Sequence, residues 1–318
     1  MAARDRVEEG ESAPAEASSP RMTATDLALL LTVCVWGVNF SIIKFALAEM
    51  PPLAFNTVRF LAASLVVGSV ARAAGYRWRI QKRHWPMLIG LGLVGNSLYQ
   101  MLFVYGAEVT TAANAALLLG TVPVWVALAG TLLGMERLRP GGWLGVGLSL
   151  LGIVLIIVGG DRGADFRFGG ATLRGDILVF AATLCWSAYT LLVRLAMRHY
   201  RPMTVTSFCT VMGALPLVLV GLPELAALDH GQISVGAWTA AVFSGAVSIG
   251  LAYFVWNHGI SRLGSARTAL YSNLVPGFAL VTAWLWLGET LTALQGWGAL
   301  LAICGVVLAR RNTRAVES

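Results

Sequence analysis

Long apolar runs separated by short polar breaks dominate the chain. Runs able to cross about 30 Å of hydrocarbon fall at roughly 27–47, 53–73, 86–106, 111–133, 142–158, 176–196, 203–222, 236–257, 265–287 and 293–309. The fifth and tenth are the shortest. Ten such runs predict an all-α polytopic membrane protein, and the short connections leave no room for a soluble catalytic domain. From Trp85 onward a constant offset of 153 superimposes one half of the chain on the other, pairing Trp85 with Trp238, Pro123 with Pro276, Glu136 with Glu289 and Gly152 with Gly305. Before Trp85 the offset is 150, pairing Asp26 with Asp176, Trp36 with Trp186 and Lys44 with Arg194. Five spans per copy turn the second copy over in the bilayer. The expected organisation is a disordered tail at 1–25, a first repeat at 26–159, an outer linker at 160–175, a second repeat at 176–309 and a tail at 310–318. Inverted repeats are a known route to alternating access in carriers.

Composition agrees with the bilayer. Of 318 residues, 57% are hydrophobic and 12% charged, against about 25% charged in a soluble domain. The net charge of +7 would suit nucleic acid if it were clustered on one surface, but its distribution follows the spans. With the N-terminus inside, 18 of the 23 Lys and Arg lie in the tails and the even-numbered loops. That is the positive-inside pattern, with both termini cytoplasmic. Residues 1–24 have no apolar stretch and read as a tail rather than a signal peptide. The four cysteines lie inside spans with no metal-ligand spacing, so neither a metal nor another cofactor is expected.

Helical spacing sorts the polar residues within spans onto faces. Thr32, Trp36, Asn39 and Ile43 share one face of the first span, and Ala182, Trp186, Tyr189 and Val193 share the matching face of the sixth. The third offers Asn96, Tyr99, Gln100 and Phe103, and the eighth Tyr253, Trp256 and Asn257. Asn114, Leu118, Thr121 and Trp125 align in the fourth, and Arg267, Tyr271, Leu274 and Phe278 in the ninth. Polar groups at bilayer depth face protein or a water-filled cavity, so six such faces predict a central chamber. The competing reading is interhelical packing.

Arg59 lies about 9 Å from the outer end of its span at helical rise, and Lys44 lies near the outer end of the first. Either can receive a substrate carboxylate, Arg59 in bidentate fashion, or snorkel to the headgroups, with Glu49 and Glu108 as partners. Pro123 and Pro276, at matched positions, bend or break the fourth and ninth helices and are candidate hinges. No Asp or Glu falls in the interior of any of these spans: Asp26 and Asp176 open the first and sixth as caps, and Glu136 and Glu289 occupy turns, facing the next helix. That absence favours a uniporter or exchanger.

Trp36-Gly37-Val38-Asn39-Phe40 followed by Lys44, Arg59-Phe60, and Thr121-Val122-Pro123 followed by Gly134-Met135-Glu136-Arg137-Leu138 resemble the EamA domain of the drug/metabolite transporter superfamily. Leu274-Val275-Pro276 and Gly288-Glu289 repeat the last element. The resemblance spans residues 25–310 and is similar in architecture to the ten-helix amino-acid exporters of the YddG type. The second copy departs from it, with Trp186-Ser187-Ala188-Tyr189 in place of Trp-Gly-x-Asn. What the resemblance implies is export of small metabolites, amino acids first, across a bacterial-type inner membrane. Alternatives are a sugar-phosphate or nucleotide-sugar exchanger, a multidrug efflux carrier, a polytopic membrane enzyme, and an assembly role through Gly141-x-x-x-Gly145. No nucleophile, acid–base pair or metal motif of the kind an enzyme needs stands out. The expected binding set is Trp36, Asn39, Arg59, Tyr99, Gln100, Trp186, Tyr189 and Tyr253.

Overall fold

The computed structural model describes residues 23–76, 78–134, 136–160 and 171–315. The expected tail therefore lies outside the described residues up to residue 22, and the expected linker does so over 161–170. Ten helices follow: α1 (Ala24–Leu47), α2 (Pro52–Ala73), α3 (Lys82–Val109), α4 (Ala112–Leu132), α5 (Pro140–Gly160), α6 (Ala171–Ala196), α7 (Pro202–Ala227), α8 (Val235–Leu263), α9 (Arg267–Leu287) and α10 (Ala293–Arg311). Eight are long and apolar enough to cross a membrane, and α5 and α10 carry shorter apolar stretches. The fold is that of a ten-helix membrane protein built as two inverted five-helix repeats. Two three-residue strands, β1 (Glu136–Leu138) and β2 (Thr313–Ala315), pair antiparallel. Residues Thr313–Ala315 of the expected tail thus pair with the α4–α5 connection.

Local chemistry sets the helix ends. Thr23 and Asp26 form a reciprocal capping box at the start of α1, satisfying N–H groups that have no intrahelical acceptor. Pro52 and Pro202 begin α2 and α7, where a missing N–H costs nothing. Ser234 caps α8 and in turn binds Glu49 through its N–H and hydroxyl, at 2.7 and 2.9 Å. Glu49 is thus not the partner of Lys44, whose Nζ reaches the Glu108 carbonyl at 3.0 Å. At the opposite end of the bundle Trp78 donates to Ser207, and His84 and the Gln81 N–H meet the Tyr200 hydroxyl.

Glycines let helices touch backbone to backbone. On α5 and α10, a Cβ at Gly145 would lie 2.6 Å from the Gly305 carbonyl, and one at Gly152 would lie 2.6 Å from the Gly298 carbonyl. Under the 153 offset these four residues are two equivalent pairs, so the seam straddles the pseudo-twofold axis. A Cβ at Gly141 would meet Asn312 of the same chain. The glycine motif considered for assembly therefore closes the bundle internally.

Three departures from regular α-helix shape the interior. Both α3 and α8 contain a π-helical stretch, at Leu93–Leu98 and Ser244–Leu251, which rotates the side chains that follow it. The α4 helix breaks between Ala112–Leu119 and Val122–Leu132. The α9 helix passes through a 3-10 turn at Leu270–Leu274 before Val275–Leu287. Pro123 and Pro276 each stand in the first turn of the second segment. They open a new helix after a break, and the two breaks meet, since a Cβ on Gly120 would lie 2.7 Å from Pro276 Cγ.

Two expectations about acids are overturned. Asp176 is not a cap, because α6 begins at Ala171 and carries Asp176 inside the helix with no solvent exposure. The apolar run was read as starting at the charge, but the chain is already helical five residues earlier. A buried carboxylate in a span is tolerated when bonded. Here Asp176 accepts from the Thr110 hydroxyl and from Asn114 Nδ2 at 3.1–3.2 Å, and Gln295 donates to Asn114. Glu289 does not meet the helix that follows it. Its two oxygens accept from the Ala112 and Ala113 N–H groups, both at 3.0 Å, so it neutralises the N-terminus of α4 in the other repeat.

Candidate functional site

A chamber lies between the halves. Its volume, about 60 Å³, exceeds the ~10–15 Å³ that one water needs. Four of the residue pairs that line it are repeat equivalents: Trp36 with Trp186, Gln100 with Tyr253, Leu119 with Ser272, and Val122 with Val275. A cavity lined by equivalent pairs sits on the pseudo-twofold axis.

The walls are mostly aromatic. Trp36 packs edge-on against Trp186 and Tyr253, at centroid distances of 5.8 and 6.3 Å. Tyr99 lies against Trp186 at 5.1 Å, and Phe103 stacks on Tyr99 at 5.8 Å and meets Phe40 edge-on. The Trp36 Nε1 donates to the Ser248 carbonyl at 2.8 Å, a carbonyl within the π-helical stretch of α8. That bond fixes the indole's plane.

The polar side of the chamber centres on Arg59, which is 1% exposed. The snorkelling reading is therefore overturned. Gly245 of α8 packs on the Arg59 backbone, where a Cβ would come 2.1 Å from its carbonyl, and the guanidinium stays inside. Its Nη1 donates to Asn56 Oδ1 at 3.0 Å and to Gln100 Oε1 at 2.9 Å, and it rides 5.1 Å from the Phe55 ring. Asn56 in turn donates to the Gln100 carbonyl at 3.1 Å, and Gln100 Nε2 donates to the Tyr253 hydroxyl at 3.2 Å. The Arg59 Nε has no acceptor, and no carboxylate among the described residues pairs with the group. A buried cation held by neutral amides and one aromatic ring is under-compensated.

Trp36, Asn39, Arg59, Tyr99, Gln100, Trp186 and Tyr253 all line this chamber. Tyr189 stands one layer away, stacked on Trp186 at 5.3 Å and hydrogen-bonded by Asn257 at 2.9 Å. Trp256 is fully buried against Trp36 at 4.9 Å. Asn96 donates to the Cys209 carbonyl at 3.3 Å. The expected faces of α4 and α9 are corrected. Asn114 serves the Asp176 network, Tyr271 donates to Asp26, and Leu274 and Phe278 are 46% and 40% exposed on the outside of the bundle. Leu119, Val122, Ser272 and Val275 line the chamber in their place, because the break in α4 and the 3-10 turn in α9 rotate the register. Ser248 and Ile249 were missed for the same reason, being inside a π-helical stretch. The repeat offset, applied to Leu119 and Val122, would have found Ser272 and Val275.

Ten helices in two inverted halves around an axial chamber, eight of them long and apolar enough to cross a membrane, are the build of a membrane carrier. Residues 23–158 and 173–311 each match the EamA-like transporter family, and the chain belongs to that family, as its motifs indicated. It is 27% identical over 276 residues to YyaM, an uncharacterized transporter of Bacillus subtilis, covering 86% of this chain and 89% of the relative. It is 30% identical over 289 residues to a probable terminal-alkyne amino-acid exporter of Streptantibioticus cattleyicolor, covering 90% and 93%. A probable amino-acid metabolite efflux pump of Salmonella typhimurium is 29% identical over 289 residues, covering 88% and 92%. A solved crystal structure superposes with a TM-score of 0.66 at 20% identity, covering 88% of this chain and 94% of the other. That likeness concerns the fold alone.

Proposed function

We propose that this transporter exports neutral, zwitterionic amino acids across the inner membrane by alternating access, with Arg59 receiving the substrate carboxylate. The observation that carries the reading is the Arg59 guanidinium, wholly buried and without a counter-charge among the described residues. Burying an isolated charge is strongly unfavourable, and a bound carboxylate offsets the cost with charge-assisted hydrogen bonds. The aromatic walls give apolar contact to varied side chains, while few polar groups fix orientation. One cation is too little to replace the hydration of a phosphate ester, which disfavours a sugar-phosphate exchanger. Two relatives carry names that point to amino-acid export. Trp36, Asn39, Tyr99, Gln100, Trp186 and Tyr253 complete the proposed binding wall, with Tyr189 supporting Trp186 from behind. The breaks before Pro123 and Pro276 serve as hinges at equivalent points of the two halves. Both termini face the cytoplasm in this reading, because the basic loops gather at that end.

The test is flux in proteoliposomes. Arg59→Gln is expected to abolish amino-acid flux while expression, membrane insertion and the melting profile persist. Normal amino-acid flux in that variant would exclude the carboxylate role.

A further inference from the structure

The two halves treat one equivalent position in opposite ways. Tyr189 and Gly95 are the repeat equivalents of Asn39 and Ser248. In the Tyr189–Gly95 pair the phenol ring fills the space: a Cβ on Gly95 would lie 2.2 Å from Tyr189 Cδ2, the ring stacks on Trp186, and its hydroxyl accepts from Asn257. In the other half a short carboxamide stands where the phenol would be, and serine stands for glycine. Both Asn39 and Ser248 line the axial chamber. They are 6% and 2% exposed, and Asn39 Oδ1 and Ser248 Oγ have no hydrogen-bond partner. Trp36, one turn before Asn39, is held by its bond to the Ser248 carbonyl and so does not collapse into the space. Unpartnered buried acceptors are costly and uncommon. The fold does not force them here, since the same position is filled and bonded in the other half.

We propose that Asn39 and Ser248 receive the ammonium group of the substrate, in the ring-sized space that Tyr189 closes in the opposite half. The inference rests on the carboxylate reading of Arg59 and completes it, placing an anion site on α2 and an N–H acceptor site on α1 and α8. Its acceptors are neutral. They reward directed N–H donors without a fixed negative charge, so a carboxylic acid lacking the amine loses these bonds. A fully methylated ammonium, with no N–H, gains nothing there. Asn39 and Ser248 are thereby specificity-determining residues for α-amino acids over the corresponding simple acids.

Dissociation constants measured on the purified protein in lipid nanodiscs test this, using L-leucine and its des-amino analogue 4-methylpentanoate. Wild-type protein is expected to favour leucine by about tenfold or more, the worth of hydrogen bonds to a charged group. Asn39→Ala and Ser248→Gly are expected to bring that ratio close to about one by weakening leucine alone. Ser248→Gly installs the residue that Gly95 already provides in the other half, so it keeps the test alive if Asn39→Ala folds poorly. Arg59→Gln is expected to weaken both ligands together. A wild-type ratio near one, or a ratio unchanged in both variants, would overturn the amino-end site and leave the carboxylate reading standing. Failure of wild-type protein to bind either ligand would remove the carboxylate reading, and this inference with it.

Discussion

Gln100 donates through Nε2 to the hydroxyl of Tyr253 across 3.2 Å, and the two residues occupy equivalent positions, 153 apart, in the inverted repeats. Equivalent residues touch only near the axis that relates their halves, so this bond marks the axis. Gln100 also accepts from Arg59. The guanidinium is thus oriented by a residue whose amide is fixed from the other half. Removing the Tyr253 hydroxyl frees that amide to rotate. Tyr253→Phe is expected to reduce amino-acid flux by roughly two- to tenfold, the worth of one net hydrogen bond, without altering the melting temperature by more than a few degrees. Initial rates in proteoliposomes and a thermal melt on the same preparation check both parts.

A buried guanidinium without a counter-charge carries a stability cost. Exchanging a buried charged group for an apolar one of similar length is often neutral or stabilising. Arg59→Met is therefore expected to melt at or above the wild-type temperature without ligand, while losing amino-acid flux. A marked drop in melting temperature would mean that Arg59 is a structural strut.

The glycine seam of α5 and α10 is predicted to hold the chain together rather than to join chains. Gly152→Leu forces a side chain against the α10 backbone, where a Cβ alone would lie 2.5 Å from the Ala302 nitrogen. Overpacking of this kind costs about 1–3 kcal/mol. A lowered melting temperature with an unchanged oligomeric state, read by light scattering in detergent, is the expected outcome.

Much of the fold was legible because membrane spans announce themselves by length and the repeat by its offset. On α1 and α6, which run unbroken past Trp36 and Trp186, 3.6-residue spacing picks out Trp36, Asn39 and Trp186, which line the chamber, and Tyr189, which stands behind Trp186. The same counting failed on α4 and α9, where a break and a 3-10 turn shift the register and turn Leu274 and Phe278 outward. Ser248 escaped notice because it lies inside the π-helical stretch Ser244–Leu251, where 3.6-residue counting from Tyr253 does not carry back to it. Asp176 was misplaced because a charge beside an apolar run resembles a boundary until its partners, Thr110 and Asn114, are brought in from α3–α4.

Orientation has its own test. The ends of α2 and α7 that carry Arg72 and Arg201 converge with His84 and Tyr200 at one face of the bundle, and that face is expected to be cytoplasmic. A reporter fused after residue 165 is expected to be active only when exported. Activity confined to the cytoplasmic reporter would reverse the orientation.

The central claim, a carrier that selects zwitterionic amino acids through one buried cation and an aromatic chamber, is tested most directly by counterflow. Purified wild-type protein is reconstituted into liposomes loaded with unlabelled L-leucine and challenged outside with tracer leucine, glucose 6-phosphate or tetraphenylphosphonium. Rapid accumulation of tracer leucine, blocked by other neutral amino acids and absent for the phosphate ester and the organic cation, is the expected result. Transport of glucose 6-phosphate or tetraphenylphosphonium with no leucine exchange would contradict it.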